Sequence, residues 1–122
     1  MKTLLKYDFC EIEIYNDFII TVMNEGILLT PDKNEVLLEI AVDYFKNKKF
    51  GYITNRIHSY SVDPRIYTET SKIKNLVSFA VVSDNKIALS NTQIEKLFYK
   101  KPFKQFIDLQ DAIIWVKKYV NN

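Results

Sequence analysis

The segment LVSFAVVS, residues 76–83, is apolar almost throughout and constrains this chain more than any other stretch. A strand with one wet face alternates polar and apolar side chains. A continuous apolar run of strand length fits a strand covered on both faces, typically the interior of a parallel sheet. Parallel neighbours cannot be joined by a tight turn and need crossover connections, usually helical. The flanking sequence should therefore alternate between helix and strand.

It does. YDFCEIEIY alternates, with Tyr7, Phe9, Glu11, Glu13 and Tyr15 facing one way and Cys10, Ile12 and Ile14 the other, which predicts a half-buried strand. Asn16-Asp17 is turn chemistry and FIITVM follows, so the first element reads as a hairpin. Asn24-Glu25-Gly26 breaks it, and residues 27–29 can add a short bridging strand. Thr30-Pro31-Asp32 then marks a helix start: a capping hydroxyl, proline at the first helical position, and an acid at the positive end of the dipole. Val36, Leu37, Ile40, Ala41, Tyr44 and Phe45 recur at helical spacing, and the run closes in KNKK, which suits the negative end.

FGYITN, residues 50–55, predicts the next strand, and Asp63 before Pro64 caps a short helix reaching about Lys72. Beyond the apolar strand, Asp84 can open a helix with Ile87, Ile94, Leu97 and Phe98 on one face. Its SNT middle has poor propensity, so packing must hold it. FKQFID predicts a final short strand. LQDAIIWVKKYV predicts a terminal amphipathic helix through Leu109, Ala112, Ile113, Val116 and Val120. With no linker or repeat, residues 1–122 read as one α/β domain: a mixed sheet of about four to five strands and about four helices.

Composition narrows function by exclusion. A net charge of +2 is too small to imply a nucleic-acid partner. The lone cysteine, Cys10, excludes an intrachain disulfide and lies in an alternating strand, where a buried structural thiol is expected. One histidine and one distant cysteine give no metal-ligand spacing, and no motif implies a cofactor. No apolar run suits a signal peptide or approaches the ~20 residues of a membrane span, so the expected location is the cytoplasm, without membrane insertion.

LVSFAVVSDN and the later PFKQFIDLQDAIIWV together resemble the SpoIIAA-like, STAS-related small bacterial domains. Those domains tend to end with a phenylalanine strand, an acidic helix start and an alanine three residues before a tryptophan. Here these are Phe106, Asp108, Asp111, Ala112 and Trp115. The resemblance spans most of the chain in topology, while the residue-level match is confined largely to about the last fifty residues. It implies a mixed sheet with helices mainly on one side and a regulatory or protein-interaction role without enzymatic activity. In the phosphorylation-switched members, a serine in a D-S-[SG]-G-like turn opens the helix after a central strand. The topological counterpart here, HSYSVDP, lacks that motif and its glycine, so neither Ser59 nor Ser61 inherits the role by motif identity.

The same stretch is the candidate functional surface. NRIHSYSVDPR, residues 55–65, holds both arginines and the single histidine. A loop at the carboxyl end of a parallel strand is where open α/β folds place ligands. Arg56, His58, Ser59, Tyr60, Ser61, Asp63 and Arg65 form the expected binding or switch surface. Forked donors and hydroxyls beside a helix start would suit an anionic metabolite, the alternative to a protein partner. The competing reading is structural: Asp63 caps the helix, the serines satisfy loop backbone, and the arginines pair with acids such as Asp63 or Glu69.

Catalysis has little footing, since Ser59 is adjacent to His58 and would point away from it on an extended segment. Lysines and aromatics interleave in KLFYKKPFKQF, residues 96–106, but a helix C-terminus attracts such lysines. Phe98, Phe103 and Phe106 are placed to enter the core. Tyr7, Tyr15 and Phe18 on the hairpin could present an apolar face for homodimerisation or a protein partner. A lipid-like ligand would need a cavity that consumes the core of so short a chain.

Overall fold

The computed structural model describes residues 2–84 and 101–121. Its main sheet has six strands in the order β1 (Thr3–Lys6), β2 (Cys10–Ile14), β3 (Phe18–Met23), β5 (Phe50–Asn55), β7 (Leu76–Val82) and β8 (Phe103–Phe106). The first three are antiparallel; β3, β5, β7 and β8 run parallel. A separate two-stranded parallel pair joins β4 (Leu28–Leu29) to β6 (Ser61–Val62). Three helices are described: α1 (Pro31–Phe45), α2 (Arg65–Thr70) and α3 (Leu109–Val120).

The architecture is the expected mixed α/β sheet, with the strand number corrected upward from about four to five to six. The extra strand is β1. Leu4 and Leu5 stand side by side in it rather than alternating with polar residues. Among the described residues its outer edge has no strand neighbour, and Leu4 is 61% exposed. The helix expected after Asp84 falls on residues 85–100, outside the described residues.

Side-chain alternation along the strands feeds two cores. Ile12, Ile19, Tyr52, Phe79 and Val81 point to the face covered by α1 and α2, where Leu37, Ala41, Phe45, Ile66 and Tyr67 meet them. Phe18, Ile20, Ile53, Ala80 and Val82 point to the opposite face, against Ala112 and Val116 of α3. The apolar run of β7 thus divides between two layers, as a strand covered on both sides requires. The described helices occupy both faces of the sheet, two on one and one on the other. Phe18 belongs to the α3 core and does not extend an apolar surface on the hairpin; it stacks on Tyr15 at 4.7 Å. Phe9 also departs from the simple alternation. Asn24 bonds the carbonyls of both Asp8 and Phe9, fixing a bend before β2 that turns Phe9 into the α1 side of the core.

Aromatic rings bind the parallel strands together. Tyr52, Phe79 and Phe103 are register neighbours on β5, β7 and β8 and stack at 4.7 and 5.2 Å, while Tyr67 of α2 lies edge-on to the last two. On the other face, α3 packs so close to β5 that a Cβ on Gly51 would stand 2.7 Å from Val116 Cβ. Cys10 is fully buried between strand neighbours, and this burial pushes its thiol up to about 12.

Candidate functional site

The chain between β5 and α2 is held by backbone pairing more than by side chains. Gly26, at φ +77°, donates its N–H to Ser59 O; Ser61 N donates to Ile27 O and Asp63 N to Leu29 O. These bonds zip β6 onto β4 and use the loop as a third rung beside the sheet.

Its side chains divide into separate groups. Arg56 turns inward and is half-buried. Its Nε donates to Tyr60 Oη at 3.1 Å, a terminal nitrogen donates to Tyr67 Oη at 3.2 Å, and the guanidinium lies 5.2 Å from the centre of the Tyr60 ring. Tyr60 Oη is also 2.9 Å from Thr54 Oγ1. This cluster rivets the end of β5 to α2. Arg65 turns outward and grips Asp63: its Nε lies 3.0 Å from both carboxylate oxygens, and Asp63 Oδ1 also accepts from Arg65 N. Hydrogen bonds from Arg65 hold the Asp63 carboxyl below its ordinary range. The expected cap is corrected: α2 begins after Pro64 with no side-chain cap and ends at Thr70 rather than near Lys72, while Asp63 is taken up by Arg65 just before the helix. His58 Nδ1 stands 3.6 Å from Glu25 Oε2, which also accepts from Ser59 N.

The structure therefore brings Arg56 together with Tyr60 and Tyr67, and Arg65 with Asp63. Among the described residues neither Ser59 nor Ser61 hydrogen-bonds to His58, and no cluster of three or more His, Cys, Asp or Glu is placed to hold a metal ion. No described helix is long and apolar enough to cross a membrane. Of the lysine-aromatic segment, Lys96, Phe98 and Lys100 lie outside the described residues. Phe103 is buried, and Lys101 donates to the carbonyls of Ile73 and Leu76, where burial lowers its proton affinity.

A concave feature of this face lies between α1 and α2. A groove of about 730 Å³ has Pro31, Leu38, Val42, Ile66 and Ile73 as its apolar lining. Carboxylates rim it: Glu35, Glu39 and Asp43 from α1 and Glu69 from α2, with Arg65 the lining base. Glu69 pairs with Lys72 at 3.1 Å and Arg65 with Asp63, whereas Glu35, Glu39 and Asp43 have no ion-pair partner among the described residues. Beneath them the buried Asn34 amide donates to Thr70 Oγ1 at 3.1 Å, setting the spacing of the two helices. Attention to the polar loop passes over this groove, although α1 carries a signal for it. Leu38 and Val42 lie off its core-facing stripe of Leu37, Ala41 and Phe45, interleaved with acids spaced four apart.

No family model matches the chain, and no curated protein does so. A solved structure does: an uncharacterised protein of the DUF3478 family from Shewanella loihica PV-4, described as having a SpoIIAA-like fold. The TM-score is 0.57 at 19% identity, over 95% of each chain. The fold of this chain is SpoIIAA-like.

Proposed function

We propose that this SpoIIAA-like chain is a non-enzymatic regulatory module that docks a protein partner in the α1–α2 groove. The observation carrying this reading is the groove itself, which combines an apolar lining with three carboxylates that no base of the described chain neutralises. Apolar surface rimmed by polar groups marks interaction sites in small soluble domains. An acidic rim repels an anionic metabolite, which makes the small-ligand alternative the weaker one. Residues 55–65 contribute through Arg65, which closes one end of the groove. A phosphate on Ser59 or Ser61 would place new charge in the loop that leads into Arg65, and this is the regulatory part of the proposal.

Site-specific photo-cross-linking in cells of the source organism tests the docking site. A benzophenone side chain at Val42, on the groove, should give a discrete adduct; one at Ile114, equally exposed on α3, should not. The protein identified in the adduct should bind the purified wild-type chain and lose binding to Leu38→Glu. Absence of an adduct at position 42, or equal adducts at both positions, would contradict the reading. Self-association through the bare edge of β1, where Leu4 is exposed, is the second reading; a sedimentation series lowered in mass by Leu4→Lys would support it.

A further inference from the structure

The chemistry of the groove says more about its occupant than that it is a protein. Glu35, Glu39 and Asp43 recur every four residues along α1, next to Leu38 and Val42. At 1.5 Å per residue this stripe is about 12 Å long, two helical turns. Among the described residues, every ionised group without a counter-charge on the rim is an acid, because Arg65 is already gripped by Asp63. Asn34 fits the same pattern: its amide nitrogen is committed to Thr70, which leaves its oxygen as an acceptor.

Asp43 supplies an independent observation. It sits in the last turn of α1, where the partial negative charge of the helix end opposes a carboxylate, and no basic residue shares that turn. An acid there lowers the stability of the isolated domain, yet it completes the acidic stripe at the groove.

We propose that the groove receives an amphipathic helix of the partner, with an apolar stripe on Leu38, Val42 and Ile73 and lysines or arginines against Glu35, Glu39 and Asp43. This rests on the docking reading above and assigns its partner a chemistry. Helix-in-groove recognition reads anchors spaced three and four apart, the spacing α1 itself offers. A small organic cation could meet the carboxylates but would leave the apolar lining wet, so the peptide accounts for both halves of the surface.

Fluorescence anisotropy with designed peptides tests this. The probe is a labelled helix-forming peptide with leucines at i, i+3, i+4 and i+7 flanked by lysines. The controls are a scrambled peptide of equal charge and a version with glutamate for lysine. The stripe peptide should bind saturably, at least tenfold tighter than either control, and weaken as salt is added. Glu39→Lys/Asp43→Lys should weaken it at least tenfold, while thermal melting shows the variant still folded. Equal binding of the scrambled peptide, no binding of the stripe peptide, indifference to the charge reversal, or displacement by equimolar spermidine would each overturn the proposal. Failure here with a retained adduct at Val42 would refute the helix chemistry and leave the docking site standing.

Discussion

Helices α1 and α3 cover opposite faces of the same sheet, and they are built to different standards. In α3 the choices at both ends favour the helix. Asp108 caps it, accepting from Gln110 N at 2.7 Å; Asp111 stands in the first turn, and Lys117 and Lys118 in the last. Its Ala112 and Val116 are fully buried. In α1 the Thr30 hydroxyl bonds to Asp32 and gives no side-chain cap. Asp43 opposes the dipole, the lysines of KNKK come after the helix has ended, and Lys46 takes φ 54°, ψ −109°. One of these penalties, Asp43, lies on the groove. On the proposed reading, α3 serves as scaffold, while α1 both packs on the sheet and offers the working surface.

This division can be attacked from its strongest point downward. Gly51→Val should destabilise the domain by about 3 kcal/mol in urea melts, because no room exists between β5 and Val116. Val116→Ala in the same chain should return part of that loss; no loss would mean that α3 does not pack as tightly as described. Asn34→Ala should lower stability by about 1.5 kcal/mol, leaving the buried Thr70 hydroxyl without its donor, and should weaken peptide binding by letting α1 and α2 drift. An unchanged affinity would separate the brace from the site.

Lys46→Gly should raise stability by about 1 kcal/mol. The turn that ends α1, closed by Lys48 N donating to Phe45 O, holds residue 46 in a conformation that glycine accepts without strain. The smallest pair is the most informative. Asp43→Lys should stabilise by about 0.5 kcal/mol while weakening peptide binding, and Lys118→Glu should destabilise by a similar amount without touching binding. If both substitutions destabilise, the two helices do not differ in the way proposed.

Sequence patterns reveal the scaffold more readily than the site, for physical reasons. Strand β5 and the starts of helices α1 and α3 fall where their residues predict because a short apolar run, helical spacing and Pro31 or Asp108 are local signals, whereas α1 stops at Phe45, short of the KNKK expected to close it. The doubly covered β7 is equally local. Strand β1 was obscured because adjacent Leu4 and Leu5 break the alternation, and Phe9 because a bend pinned by Asn24 shifts its phase. The loop at 55–65 shows the limit best. Asp63 beside Arg65 is a two-residue relation and is legible, but the turn of Arg56 toward Tyr60 and Tyr67 depends on where α2 docks. The groove depends on the same docking: its acidic stripe is visible in α1, but its other wall, Ile66 and Ile73, is brought in by tertiary packing.

Amide chemical-shift mapping by NMR during titration with the lysine-leucine helix peptide tests the working-surface assignment most directly. Shifts should concentrate at residues 35–43 and 65–73, with α3 silent. Shifts centred on α3, or scattered over both faces of the sheet, would contradict the assignment.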